Sequence, residues 1–180
     1  MILFENRNDM IRYYLKPSMI GAELGVFAGE FSEILVQIDP LKLYLVDFFL
    51  GIQGSGDLNG ENMVYIDMDI AMKTIVQKYE HDTRVCVVQK TTQDFLYGLE
   101  NNCLDFVYID ADHSYEAIRS DINIAFNKVK VGGYILGHDY VSPRFDGVVR
   151  AVNEFCSSNS LSICAMSKCG CPSYCIQVAK

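Results

Sequence analysis

Short apolar runs bounded by turn residues alternate along this chain with stretches in which apolar residues recur every three or four positions. Strands and helices are therefore predicted in turn. Met10, Ile11, Tyr14 and Leu15 mark a helix within 5–16, ended by Pro17. An apolar strand then closes at Glu23, Gly25 and Gly29 form a turn, and Phe31, Ile34, Leu35 and Ile38 fall on one face of a following helix. After Asp39-Pro40, LKLYLVDFF reads as a buried second strand ending at Asp47. Met68, Ala71, Met72, Ile75, Val76 and Tyr79 form a core stripe, and RVCVVQ is the third strand, with Thr91-Thr92 at its end. The run from Leu104 is the fourth strand and GGYILGHDY the fifth, with a helix between them that turns Ile118, Ile122, Ala125 and Val129 inward. A helix over 147–156 follows, and LSICAM and YCIQVA close the chain as a hairpin, which sets the last strand antiparallel to its neighbour.

Strands alternating with helices imply a mostly parallel sheet with helices on both faces, and in such sheets ligands bind at the carboxyl ends of the strands. The polar residues collect there. Glu23 and Gly25 follow the first strand, Asp47 the second, Thr92 the third, Asp110 and His113 the fourth, and His138 and Asp139 the fifth. Asp110 is still on its strand, too early to cap the next helix, whereas Asp112 and Ser114 are placed to do so.

The glycine turn decides which ligand suits this rim. Its spacing is G-x-x-x-G, flanked by Glu23 and Glu30, so two phosphates would meet two negative charges. A ligand with an ammonium, a sulfonium and one carboxylate for the helix N–H groups fits better; S-adenosylmethionine is such a ligand. Asp47 lies 18 positions beyond Gly29, near the offset at which an acid reaches ribose hydroxyls in a βαβ nucleotide site; its other reading is a turn cap. Thr92 is placed either to meet an adenine edge or to cap a helix.

With 180 residues, 50% of them hydrophobic, the chain suits one domain over 1–180, comprising an N-terminal helical extension at 1–17 and a glycine-rich loop at 48–62 as a candidate lid. No apolar run reaches about 18 residues and no basic leader precedes one, so a soluble cytoplasmic protein is expected, with no membrane partner. The net charge of −8 argues against binding a nucleic-acid backbone. Seven cysteines without a secretion signal read as reduced thiols. Cys164, Cys169, Cys171 and Cys175 crowd the C-terminus, but their spacing lacks the paired C-x2-C knuckles of many zinc sites, so buried or turn thiols are the plainer reading.

ELGVFAGEFS, LVDFF, DFVYIDADHSYEAIRSDI, GGYILGHDY and GVVRAVNEF together resemble class I S-adenosylmethionine-dependent methyltransferases. The later motifs are similar to the branch of macrocin-type and caffeoyl-CoA-type metal-dependent O-methyltransferases. The resemblance implies a Rossmann-like doubly wound sheet of seven strands, the last antiparallel. It implies cofactor contacts from Glu23, Gly25, Phe27, Gly29, Asp47, Phe48, Thr92 and Asp110. It also implies a divalent metal, Mg2+ or Mn2+, at Asp110 and Asp139, with His138 in the paired position where the branch carries an acid, and Tyr140 after them where some members have Asn. His113 stands where related enzymes place a lysine base, which makes His113 and Asp110 the candidate catalytic residues. The reaction expected is methyl transfer to a hydroxyl, since a poor nucleophile needs deprotonation and in-line placement, and a metal supplies both. The acceptor is expected to be a small molecule, a sugar or a larger glycosylated compound, in a pocket either open or capped by the second subunit of a homodimer. A nicotinamide-dependent oxidoreductase on the same sheet and a catalytically inactive nucleoside-binding module are the competing readings.

Overall fold

The computed structural model describes residues 1–55, 63–141 and 143–180. Its centre is an eight-stranded sheet. The strands are β1 (Ile2–Phe4), β2 (Ile20–Leu24), β3 (Lys42–Asp47), β6 (Val85–Gln89), β7 (Leu104–Ile109), β8 (Val129–Gly137), β9 (Ile163–Ser167) and β10 (Tyr174–Gln177). They lie in the order β1-β9-β10-β8-β7-β2-β3-β6. Neighbours pair in parallel except β10, which runs antiparallel to both β8 and β9. β2 and β7 are buried almost throughout, as strands covered on both faces must be.

The helices divide between the two faces. α1 (Arg7–Tyr14), α2 (Glu30–Val36) and α3 (Met68–Tyr79) close one apolar core with Leu43, Leu45, Phe106 and Tyr108. α4 (Thr92–Tyr97), α5 (Tyr115–Lys128) and α6 (Asp146–Ser158) close the other with Ala22, Leu24, Val107 and Ile135. From β2 the chain moves outward to β3 and β6, then returns to the other side of β2 as β7 and β8. The carboxyl ends of β2 and β7 thus flank the point where the winding reverses, where a doubly wound sheet opens a crevice.

The α/β Rossmann-like fold and the antiparallel ending agree with expectation; the strand count does not. Residues 1–17 are a strand and a helix, not a helix alone, because Ile2–Phe4 adds in parallel to the edge of β9. Three residues are too few to show a period. α4 was equally illegible: six residues, capped by the Thr91 side chain, which accepts from the Asp94 N–H. Part of the predicted 48–62 loop is strand, since β4 (Ile52–Ser55) pairs antiparallel with β5 (Val64–Asp67). Residues 56–62 lie outside the described residues, and the lid reading falls largely on them. No helix among the described residues is long and apolar enough to cross a membrane.

Candidate active site

A cleft of about 850 Å³ opens at the carboxyl ends of the strands. That size falls within the range of small-molecule sites. Among its lining residues are all those anticipated at the rim except Gly29: Glu23, Gly25, Phe27, Asp47, Phe48, Thr92, Asp110, His113, His138 and Asp139. Gly29 serves as the N-cap of α2 at φ 79°.

The floor is the β2–α2 turn. Gly25 has φ 90°, and a Cβ there would run into the Asp110 carbonyl on the neighbouring strand, so only glycine lets β2 and β7 end side by side. Phe27, Phe49 and Asp139 also adopt positive φ, at 52°, 48° and 56°. Such backbone is costly for residues with a Cβ and concentrates at functional sites. All three follow strand ends, and Phe27 and Asp139 line the cleft.

Asp47 is committed to this turn. Its Oδ2 accepts the N–H groups of Val26 (2.9 Å) and Phe27 (3.0 Å), and its Oδ1 accepts that of Phe49 (2.9 Å). The Gly25 N–H goes to the Val46 carbonyl and the Gly29 N–H to that of Val26. These four amides of the turn are therefore already paired, with the aspartate, with β3 and with the turn itself, and are not open to a ligand carboxylate. An ionised carboxylate offers about four acceptor positions. One remains on Asp47 for a hydroxyl.

Glu23 is 1% exposed and accepts a 2.5 Å hydrogen bond from the Ser32 hydroxyl. Burial pushes its carboxyl up to about 8, further raised by Asp110 and opposed by the Ser32 bond and the Arg7 charge. Arg7 comes from α1, far away in sequence. Its guanidinium lies 4.3 Å from the Phe31 ring centre and 3.9 Å from Asp110 Oδ2. Nothing in the helical period distinguished it from a surface arginine.

At the opposite wall two carboxylates face two imidazoles. Asp110, His113 and Asp139 each present a ligating atom, all within 4.8 Å of one another. His113 Nε2 is 3.4 Å from Asp110 Oδ1 and 3.2 Å from Asp139 Oδ2; His138 Nδ1 is 3.5 Å from a carboxylate oxygen of each. Burial pulls both imidazoles down, but the carboxylates outweigh it, raising His113 above 6.5 and holding His138 up at about 9. The His113 ring packs edge-on against Phe145, 4.9 Å between centres.

Thr92 does not present a free hydroxyl. It donates to Asp121 Oδ1 at 2.8 Å, as the Gln93 amide does at 2.6 Å. Asp121 is 1% exposed, its Oδ2 finds no hydrogen-bond partner among the described residues, and burial lifts its carboxyl to about 6. In sequence it looked like any polar helix position, and its burial between α4 and α5 is a purely tertiary fact. The four C-terminal cysteines are all free thiols, and among the described residues they form no cluster able to share one ion. Cys171 instead lines the cleft near Asp139.

An α/β sheet with this crevice is the architecture of nucleotide-utilising enzymes in general. The family is more specific. A family model described as "Methyltransferase domain" matches residues 20–140, well over half of the chain, and the chain belongs to that family. That membership displaces the nicotinamide-dependent oxidoreductase reading. The curated protein "Uncharacterized protein R132" of Acanthamoeba polyphaga mimivirus is 24% identical over 152 residues, 84% of this chain and 65% of that protein. This chain thus spans less than two thirds of that relative's length. Among solved structures, the O-methyltransferase NovP superposes with a TM-score of 0.71 at 18% identity, covering 97% of this chain and 80% of that one. SMU.1697c of Streptococcus mutans, a putative methyltransferase solved in complex with SAH, gives 0.68 at 10% identity, with 96% of each chain covered. A putative rRNA-methylase of Clostridium thermocellum gives 0.68 at 12%, covering 97% and 94%. At these identities the structures attest the fold.

Proposed function

We propose that this chain transfers a methyl group from S-adenosylmethionine to a hydroxyl of a small or glycosylated acceptor, beside a divalent ion held by Asp110, His113 and Asp139. The observation that carries the reading is the meeting of those three ligating atoms within 4.8 Å on the wall of the cleft that contains Glu23 and Gly25. The cleft suits the cofactor in two respects. Gly25 keeps its floor bare of side chain, and Glu23 is a buried carboxylate suited to an ammonium. Asp47 retains one acceptor position for a ribose hydroxyl. Gly29, Phe27 and Phe48 shape the turn and the rim around it. Thr92 acts through Asp121, ordering the start of α4 on the cleft wall.

The donor set of two carboxylates and an imidazole fits a hard or borderline divalent ion, and the nitrogen favours Mn2+ over Mg2+. Such an ion supplies a lowered hydroxyl pKa and a fixed position for the oxygen. His113 is assigned to the ligand set, with His138 held against both carboxylates to orient them. Binding requires the imidazole to lose its proton, so uptake of the ion should release protons. Nothing in the site suggests reading a long polymer, and a net charge of −8 suits a small acceptor better than nucleic acid.

Calorimetry with S-adenosylhomocysteine, repeated with Mg2+, Mn2+ and EDTA, is the test. Micromolar binding with a separate metal heat that disappears in Asp110→Ala supports the scheme. Cofactor binding without any metal heat would remove the ion from it, and no binding at all would remove the cofactor.

A further inference from the structure

The sequence assigns an ammonium partner in the turn region, Glu23, and gives the cofactor's carboxylate only the N–H groups at the start of α2, since four amides of the turn before it are already paired. The N–H groups of Val26 and Phe27 are held by Asp47, and those of Gly25 and Gly29 by backbone carbonyls. A carboxylate brought into an already acidic cleft needs a cation near Glu23. Arg7 is that cation. It is the first residue of α1, its side chain is 31% exposed, and it lines the same cleft as Glu23, whose carboxyl feels its charge. The Phe31 ring holds its guanidinium in place from 4.3 Å. Its approach to Asp110, 3.9 Å, is beyond hydrogen-bond range, so beside its contact with the Tyr108 hydroxyl the five-donor fork keeps N–H groups for a ligand.

From this placement we infer that Arg7 receives the α-carboxylate of the cofactor's methionyl tail while Glu23 receives its α-ammonium. Arg7 and Glu23 thus form a zwitterion clamp that makes α1 a specificity element for the aminoacyl end of the ligand. The inference rests on S-adenosylmethionine being the cofactor. A planar fork is well matched to a carboxylate, and its fixed position over Phe31 lowers the ordering cost of closing on it. Met10, Ile11 and Leu15 are buried in the core below α1, which seats the helix with its first residue at the cleft.

The test compares two ligands by calorimetry: S-adenosylhomocysteine, and 5′-methylthioadenosine, which keeps the nucleoside and thioether but lacks the aminoacyl tail. Arg7→Met keeps the stem over Phe31 and removes the charge. We expect it to weaken S-adenosylhomocysteine about 10- to 100-fold, as loss of charge-assisted hydrogen bonds implies, and to change methylthioadenosine less than twofold. Unchanged S-adenosylhomocysteine affinity would overturn the inference, as would an equal loss for both ligands, which would make Arg7 a structural strut for α1. Should Arg7→Met fail to fold, Arg7→Lys serves, with a point charge in place of the fork and an expected intermediate loss confined to the tail-bearing ligand. Wild-type protein that binds methylthioadenosine as tightly as S-adenosylhomocysteine refutes the clamp alone. Wild-type protein that binds neither refutes the cofactor assignment itself.

Discussion

Protonation of Glu23 should control cofactor affinity. Its carboxyl is buried and sits at about 8, so most of it is neutral at pH 7. An ammonium binds the ionised form far better, so the ligand must first displace a proton. Well below pH 8 the ionised fraction rises about tenfold per unit, and the apparent affinity should rise with it. Between pH 5.5 and 7.0 the gain is about 30-fold, in a window where an α-amino group stays protonated and above the sequence pI of 4.8. Titration of S-adenosylhomocysteine in buffers of different ionisation enthalpy should show close to one proton released at pH 6.5. Methylthioadenosine, with no ammonium, should show a flat profile. The same group makes a linked stability prediction. A carboxyl raised in the folded state binds its proton more tightly there, so stability is full below about 4.5 and falls as pH rises towards 8. The difference of 8 − 4.5 = 3.5 pH units sets an upper bound of about 5 kcal/mol. Glu23→Gln should therefore gain stability over wild type in urea at pH 8 while losing the pH dependence of cofactor binding. An affinity for S-adenosylhomocysteine that stays constant from pH 5.5 to 7.0, with no proton release, would refute the reasoning.

Three further outcomes are expected. Asp47→Ala removes the acceptor of three backbone N–H groups and should lower unfolding free energy by about 3 kcal/mol as well as weaken the cofactor, with Asp47→Asn recovering part of the stability; urea midpoints decide. Gly25→Ala drives a Cβ into the Asp110 carbonyl at φ 90° and should unfold the protein or cost at least about 2 kcal/mol, read from thermal melts. His113→Ala should weaken Mn2+, followed by its paramagnetic resonance signal, by at least about tenfold; full Mn2+ affinity with lost turnover would return His113 to the role of base.

Much of the architecture was open to a reader of the sequence, because the elements that mattered were long and strongly patterned. The apolar runs of β2, β3 and β7 are buried on both faces, and a strand in that environment has almost no polar position to spare. Each run meets charge within a residue of its end, which is why Glu23, Asp47 and Asp110 stand out. The elements that escaped notice, β1, α4 and the β4–β5 pair, are too short for a period to develop, and β1 and α4 depend on contacts with β9 and with Asp121.

The candidate site divides along the same line. Alternating strands and helices, the glycine turn and the charged strand ends were determined by the sequence alone, since burial periodicity and backbone freedom are local properties of residue type. The partners of those charges were decided by tertiary structure. Asp47 folds back on the turn rather than standing free, His113 falls between two carboxylates from different strands, and Arg7 crosses from the first helix to Phe31 and Asp110. A side chain's charge is written in the sequence, but its field depends on which distant groups the fold brings within a few ångströms and on how much water it leaves between them.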